Sequence, residues 1–354
     1  MNPELNSEVS QTLDARRNAL AAAVTERQFE ARPDLLARYG EKGRHHCHKD
    51  AEYHLSYLAD SIASGSPALF ADYVGWARVM LAARGIPAGD LASNLEILRE
   101  VLRRELPGDP GEVAAGYVET GLEALGQAAP PTQESTAAEP LDGLFQIYLE
   151  SLLEGRRQDA SQLIRRAVED GVGVKDVYLH VFQRSQYEIG RRWQTNLVSV
   201  AQEHYCTAAT QLIMSQLYPY IFSTAKNGLA MVGSCIAGDL HEIGVRMVSD
   251  FFEMEGWDTF YLGANTPTSD LIRALEEREA DVLAVSATMS FHVRGVTELI
   301  AAVRSRLSGV KVLVGGYPFN VDPDLWRRIG ADGSARDAQE AIELAGRLVA
   351  EARR

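Results

Sequence analysis

The feature that most limits how this chain can fold is a change of hydrophobic period at Gly228. Beyond it, short apolar runs at residues 229–234, 259–262, 282–286 and 310–314 alternate with helical segments of a dozen or so residues. Continuous short apolar runs separated by helical spacing are the pattern of strands buried on both faces, because crossover helices cover a parallel sheet from each side. A last helical segment at 338–350 would cover one face. The expectation is a doubly wound, flavodoxin-like α/β domain over residues 227–354, built on four strands.

Upstream of Gly228 the spacing is helical throughout, but in two blocks. Between them, residues 127–140 read QAAPPTQESTAAEP, a Pro-, Ala- and Thr-rich stretch without aromatics that has the composition of a linker. Before it, helices are expected at 13–32, 47–63, 67–83, 88–106 and 111–125, with Pro67 at a first helical position and Gly85-Ile86-Pro87 as a break. That makes residues 1–126 an all-helical domain. After it, Leu144, Tyr148, Leu152 and Leu163 open a set of helix faces, and Gly155, Gly171 and Gly173 mark turns, so residues 141–226 are expected to form a four-helix bundle. The chain is thus read as multidomain, α and α/β.

Charge and cysteine usage exclude several functions. Asp and Glu outnumber Lys and Arg by 49 to 35, a net charge of −14, which argues against electrostatically driven nucleic-acid binding. Cys47, Cys206 and Cys235 lie far apart with no CxxC, so neither a disulfide framework nor a Cys-rich zinc site is expected. No apolar run reaches membrane-spanning length, and MNPELNSEVSQ lacks a basic region followed by an apolar stretch. A soluble, cytoplasmic protein is the expectation.

The α/β region carries three motifs, each at a strand end. Gly238-Asp239-Leu240-His241-Glu242-Ile243-Gly244 follows the first strand and opens the next helix, where ligands bind in this architecture. An imidazole there can coordinate a metal, and a carboxylate two residues earlier can engage its second ring nitrogen and fix the tautomer. An isolated DxH is more simply a helix cap beside a solvated histidine. It is not isolated. Ser286-Ala287-Thr288 ends the third strand with two hydroxyls on one side, and Gly315-Gly316 ends the fourth, where missing side chains permit close approach of a large flat group.

The order DxHxxG, SxT, GG resembles the cobalamin-binding domain of methionine synthases, corrinoid proteins and B12 photoreceptors. The resemblance implies that His241 is the lower axial ligand of cobalt and Asp239 its partner. It also implies that Ser286, Thr288, Gly315 and Gly316 line the pocket of the nucleotide tail. In the preceding bundle Trp193 and Glu203-His204 form W-x9-E-H, which resembles the cap of light-responsive, adenosylcobalamin-binding regulators. There these residues lie over the upper face of the cofactor. One position departs from that pattern. Where those regulators have a histidine after the tryptophan, this chain has Gln194, which puts a bis-histidine photoproduct through that position in doubt and leaves His180 and His204 as substitutes.

Four of the eight histidines fall within residues 45–54, in RHHCHKDAEYH. Neighbouring side chains on one helical turn cannot all converge on a zinc ion, and Tyr53, Tyr57, Phe70, Tyr73 and Trp76 have the spacing of a helical core. The segment CHKDAEYHLSYLADSIASGSPALFADYVGW nevertheless looks globin-like, and its fusion to a B12 module resembles the photocobilins, which bind both B12 and biliverdin. That resemblance makes His45, His48, Tyr53 and His54 candidate bilin contacts.

The resulting expectation is a sensory photoreceptor rather than an enzyme, holding adenosylcobalamin and a bilin. Its output would pass through an effector protein or a change of homo-oligomeric assembly. The alternative is a corrinoid protein that carries methyl groups for a methyltransferase.

Overall fold

The computed structural model describes residues 2–127 and 140–353, so of the expected linker only Gln127 and Pro140 lie among the described residues. Two compact units emerge. One comprises Met1–Pro130 with Met289–Thr297 and Tyr317–Ile329, and the other Pro131–Thr288 with Glu298–Gly316 and Gly330–Arg354.

The first unit contains α1 (Pro3–Ala31), α2 (Asp34–Ala63), α3 (Pro67–Ala82), α4 (Ala88–Glu105) and α5 (Asp109–Gly126). The first helix starts well before residue 13 because Pro3 occupies its first turn and the Asn2 side chain accepts from the amides of Glu4 and Leu5. The second also begins earlier than Cys47. It is two helices across a kink at Gly40 (φ 63°, ψ −170°), and the polar, glycine-containing stretch before Cys47 gives no apolar periodicity to read. Leu13, Leu20, Leu55, Leu58, Phe70 and Leu95 are fully buried between these helices, and Met289 and Phe291 pack against the same core.

The second unit begins with α6 (Asp142–Leu153), α7 (Arg157–Glu169), α8 (Val174–Val177), a π-helical turn at Tyr178–Gln183, α9 (Arg184–Gln194), α10 (Val200–Gln216) and α11 (Tyr218–Ile221). The alternating region follows in the chain: β1 (Ala230–Cys235), α12 (Ile243–Met254), β2 (Asp258–Tyr261), α13 (Thr268–Glu277), β3 (Val282–Ser286), α14 (Val293–Arg306), β4 (Lys311–Gly315), α15 (Tyr317–Val321), α16 (Leu325–Arg328), β5 (Gly333–Ser334) and α17 (Ala338–Ala352), of which α15, α16 and the start of α14 fall in the first unit. The sheet is parallel, in the order β2-β1-β3-β4-β5. It has five strands, not four: β5 is two residues, Gly333 and Ser334, with no apolar run to announce it. In this order the chain reverses direction across the sheet between β1 and β3, so a crevice opens at their carboxyl ends. Among the described residues no helix is long and apolar enough to cross a membrane.

Helix α12 joins bundle to sheet, and α17 also reaches the bundle core through Ala338. Phe252 of α12 packs into the sheet core, while Met247 and Phe251 belong to the bundle core with Tyr148, Tyr178 and Phe182. Along its bundle side, positions four apart carry a polar row. Glu242 accepts from Gln211 Nε2 at 2.8 Å, Arg246 donates to Ser215 Oγ at 2.7 Å, and Asp250 accepts from Tyr178 Oη at 2.7 Å. This face of α12 helps to seat the bundle on the α/β part.

Asp250 is 8% exposed, and burial pushes its carboxyl up to about 6 against the opposing Tyr178 and Arg246 contributions. With the folded value above the unfolded one, the native state holds a proton that the unfolded chain has released between about pH 4 and 6, so stability falls as pH rises through that window. Asp250→Asn keeps an acceptor for Tyr178 and removes the buried charge. It should stabilise the protein by up to about 3 kcal/mol at pH 8, with the gain vanishing below pH 4, in urea titrations at both pH values.

Candidate functional site

The carboxyl edge of the sheet is laid out by strand register. Cys235 of β1 pairs with Ser286 of β3, and Ser286 with Gly315 of β4, so the three motif-bearing strands end in one row. Ile236 N donates to Ser286 O at 3.0 Å, and Ala287 N to Gly315 O at 3.0 Å, carrying the ladder just past the strands.

From β1 the chain turns through Gly238 (φ 88°) into Asp239, which is fully buried. Asp239 Oδ1 accepts from the His241 amide at 3.0 Å and from His241 Nδ1 at 2.7 Å, and Oδ2 accepts from the Thr288 amide at 2.6 Å. A buried carboxylate held by donors on both oxygens cannot turn without leaving one of them unsatisfied. The His241 ring is 61% exposed, and among the described residues its Nε2 takes part in no hydrogen bond. The contact with Asp239 raises the imidazole above its ordinary value, against the opposing effect of burial, and Glu203 adds to the rise. The arrangement is a histidine oriented through one nitrogen and open at the other, the form in which imidazole binds metals.

Glu242 closes the loop. Its Oε2 accepts from Tyr261 Oη at 3.1 Å while Oε1 takes the bond from Gln211. Leu240, between the two carboxylates, is 73% exposed, an unusual position for leucine. Gly238, Ile243 and Gly244 complete the loop and the first turn of α12.

Ser286 and Thr288 are both half-buried at the end of β3. The two glycines differ. Gly316 has φ 104°, and a Cβ there would lie 2.1 Å from the Ala287 carbonyl oxygen, whereas a Cβ on Gly315 would meet only the Ala335 carbonyl at 3.4 Å. Gly316 is therefore required by the backbone itself, and Gly315 is not.

The α9–α10 connection brings the cap residues to one end of the bundle. Trp193 ends α9, half-buried, and Ser199 caps α10 with a reciprocal bond to Gln202, which sets Glu203 and His204 in the first turn. Glu203 Oε2 bonds His204 Nδ1 at 2.6 Å and its Oε1 accepts from Thr207 at 3.1 Å.

The four candidate bilin contacts are differently placed. His45 and His48 border a cleft of about 380 Å³ between α1 and α2 with Glu26, Glu41 and Arg44. Tyr53 is 59% exposed. His54 is a core residue whose Nδ1 meets Tyr73 Oη at 2.7 Å, and burial lowers its imidazole to about 4. Among the described residues no group of three His, Cys, Asp or Glu side chains is placed to hold a metal ion.

The sequence reading missed Asn265, Tyr261 and Gln211, which hold the DxHxxG loop from other elements. Only Asn265 left a trace, as an asparagine between a strand and a Pro-led helix, a position that favours the left-handed conformation it adopts (φ 56°).

Comparison with known proteins matches residues 229–343 to a family described as B12 binding domain, and residues 144–218 to a second family of the same description. A dimethylamine corrinoid protein of Methanosarcina mazei is 30% identical over 140 residues, 39% of this chain and 81% of that protein. The chain belongs to the B12-binding corrinoid proteins. A corrinoid protein of Desulfitobacterium hafniense is 24% identical over 210 residues, 56% of this chain and 94% of that protein. The solved monomethylamine corrinoid protein of Methanosarcina barkeri shares the fold, with a TM-score of 0.53 at 21% identity over 59% of this chain and 99% of that one. Bundle and α/β part are thus a cobalamin-binding module, and the residues before 144 lie outside both family matches.

Proposed function

We propose that this corrinoid protein is a methyl carrier, presenting cobalamin held by residues 141–226 and 227–354 to a methyltransferase partner. The observation that carries the reading is the Asp239–His241–Thr288 unit at the β1/β3 edge, in a chain whose relatives are named as dimethylamine corrinoid proteins. When bound, cobalamin supplies a cobalt centre able to take up and give away a methyl group.

The residues fit that cofactor. Asp239 accepts from Nδ1, so the proton stays there and His241 would hold cobalt through the Nε2 lone pair. Thr288, by bonding Asp239 through its amide, links the ligand loop to the β3 end, where the Ser286 and Thr288 hydroxyls would border the nucleotide tail. Gly315 and Gly316 would let the tail lie against the β4 end. Trp193, Glu203 and His204 would stand over the upper face.

One observation favours a second reading. W-x9-E-H is complete in Trp193, Glu203 and His204, the pattern that resembles the cap of adenosylcobalamin-binding photoreceptors. On that reading the chain is a photoreceptor that holds adenosylcobalamin beneath Trp193, with biliverdin as a second pigment in a globin-like N-terminal unit.

Titration calorimetry under dim red light separates the two. A carrier must accept a small upper ligand, so methylcobalamin and adenosylcobalamin should bind within about three-fold of each other, below 1 kcal/mol. Trp193→Ala should leave that ratio unchanged. A preference for adenosylcobalamin above about ten-fold that collapses in Trp193→Ala, with a light-dependent change of spectrum, would establish the photoreceptor instead.

A further inference from the structure

We propose that Asn265, on the loop after β2, is a positioning residue for the lower-ligand loop, setting where the His241 imidazole stands. The inference rests on the reading of His241 as cobalt ligand.

The ligand loop leaves β1, which lies between β2 and β3, and it is fastened on both flanks. Toward β3 the fastening is Asp239 to the Thr288 amide. Toward β2 the backbone is laced first, with Leu262 N donating to Gly233 O at 2.8 Å and Cys235 N to Gly263 O at 2.9 Å. Asn265 then reaches across, its Oδ1 accepting from the Gly238 amide at 2.8 Å. Gly238 is the residue immediately before Asp239, and its φ of 88° is the turn that directs the chain into the Asp239–His241 pair. Tyr261 and Gln211 hold the far end of the loop through Glu242, whereas the turn at Gly238 that leads into Asp239 is held by the Asn265 side chain. By fixing the near end of the loop, the Asn265 bond sets the direction in which the chain enters Asp239 and hence that of the imidazole.

The residue type is specific to the task. At φ 56° a side chain with Cβ is strained unless it is asparagine or aspartate, and of the residues that tolerate this region only these two also offer a side-chain oxygen. Glycine tolerates the conformation and offers no acceptor. Two variants therefore separate backbone from hydrogen bond: Asn265→Gly keeps the conformation and loses the acceptor, while Asn265→Asp keeps both.

The test uses the full chain, with wild-type thermal stability checked in each variant. Hydroxocobalamin binding is measured by calorimetry, the exchange rate of the Gly238 amide by NMR in cofactor-free protein, and the lower-ligand nitrogen coupling by electron paramagnetic resonance of the cob(II)alamin form. Asn265→Gly should raise Kd about five-fold and accelerate Gly238 exchange by about the same factor, the effect of one hydrogen bond of about 1 kcal/mol. Asn265→Asp should restore both to within about two-fold of wild type. Wild-type affinity and exchange in Asn265→Gly, or equal defects in the glycine and aspartate variants, would overturn the inference. His241→Ala run alongside distinguishes the two levels. If it keeps the protein-derived nitrogen coupling, the ligation reading falls and this inference with it. If it loses the coupling while Asn265→Gly matches wild type, this inference falls alone.

Discussion

His241→Ala should weaken cobalamin binding by one to two orders of magnitude and abolish the protein-derived nitrogen splitting in the electron paramagnetic resonance spectrum of the cob(II)alamin form. The size follows from what the substitution removes. Nδ1 is held by a carboxylate that is itself buried and bonded on both oxygens, so the imidazole is oriented before any ligand arrives and no ordering of the ring opposes binding. No neighbour can replace it. Leu240 has no donor, and Glu242 is held by Tyr261 and Gln211. The variant should fold normally, because the His241 ring is 61% exposed and contributes little to packing. Its amide bond to Asp239 is backbone and survives the change. Unaltered nitrogen coupling in His241→Ala would remove the histidine from cobalt and leave the loop a structural cap.

What could be read from the sequence followed from how local the information was. The β3 strand matches its apolar run at both ends, and β1, β2 and β4 differ by about one residue, because strands buried on two faces write themselves as uninterrupted apolar letters. The ligand loop was legible for the same reason: Asp239, His241 and the turn at Gly238 are neighbours in the chain. The fifth strand, two small residues, carries no periodicity. The early part of α2 was hidden by Gly40, whose positive φ breaks the helix and its pattern.

The supports of the site were hidden for another reason. Asn265, Tyr261 and Gln211 reach the loop from β2 and from the bundle, through contacts that only the parallel pairing of β1 with β2 and the seating of α12 create. Phe251 and Phe252, adjacent in the sequence, go to different cores, one to the bundle and one to the sheet. Helical spacing alone identifies α12 as amphipathic, but not as a helix shared by two layers. Function was the least legible part, because the motifs of the α/β region fit a carrier and a photoreceptor equally. W-x9-E-H resembles photoreceptor caps, whereas the relatives found are corrinoid proteins, which favours the carrier.

The adjacent glycines give the second large expected effect, and their difference is its control. Gly316→Ala places a methyl group 2.1 Å from the Ala287 carbonyl oxygen and 2.8 Å from its carbon, at a φ of 104° that a side chain rarely adopts. The strained backbone costs about 1–2 kcal/mol and the overlap about 1–3 more, so the α/β part should lose roughly 3 kcal/mol of stability. Relief can come only from moving Ala287 away, and Ala287 lies between Ser286 and Thr288, whose amide holds Asp239. A displacement there should therefore reach the histidine and weaken cobalamin binding beyond the loss of stability. Gly315→Ala adds the same methyl one residue earlier, where its nearest neighbour is the Ala335 carbonyl at 3.4 Å, an ordinary contact. It should cost less than about 1 kcal/mol in folding, so any fall in affinity it shows reports crowding at the tail side of the site rather than a damaged strand end. Urea denaturation of the cofactor-free variants measures the first difference and cobalamin titration the second. If Gly316→Ala proved as stable as Gly315→Ala, the carbonyl of Ala287 would not stand where the structure puts it, and the link from β4 through β3 to His241 would be lost.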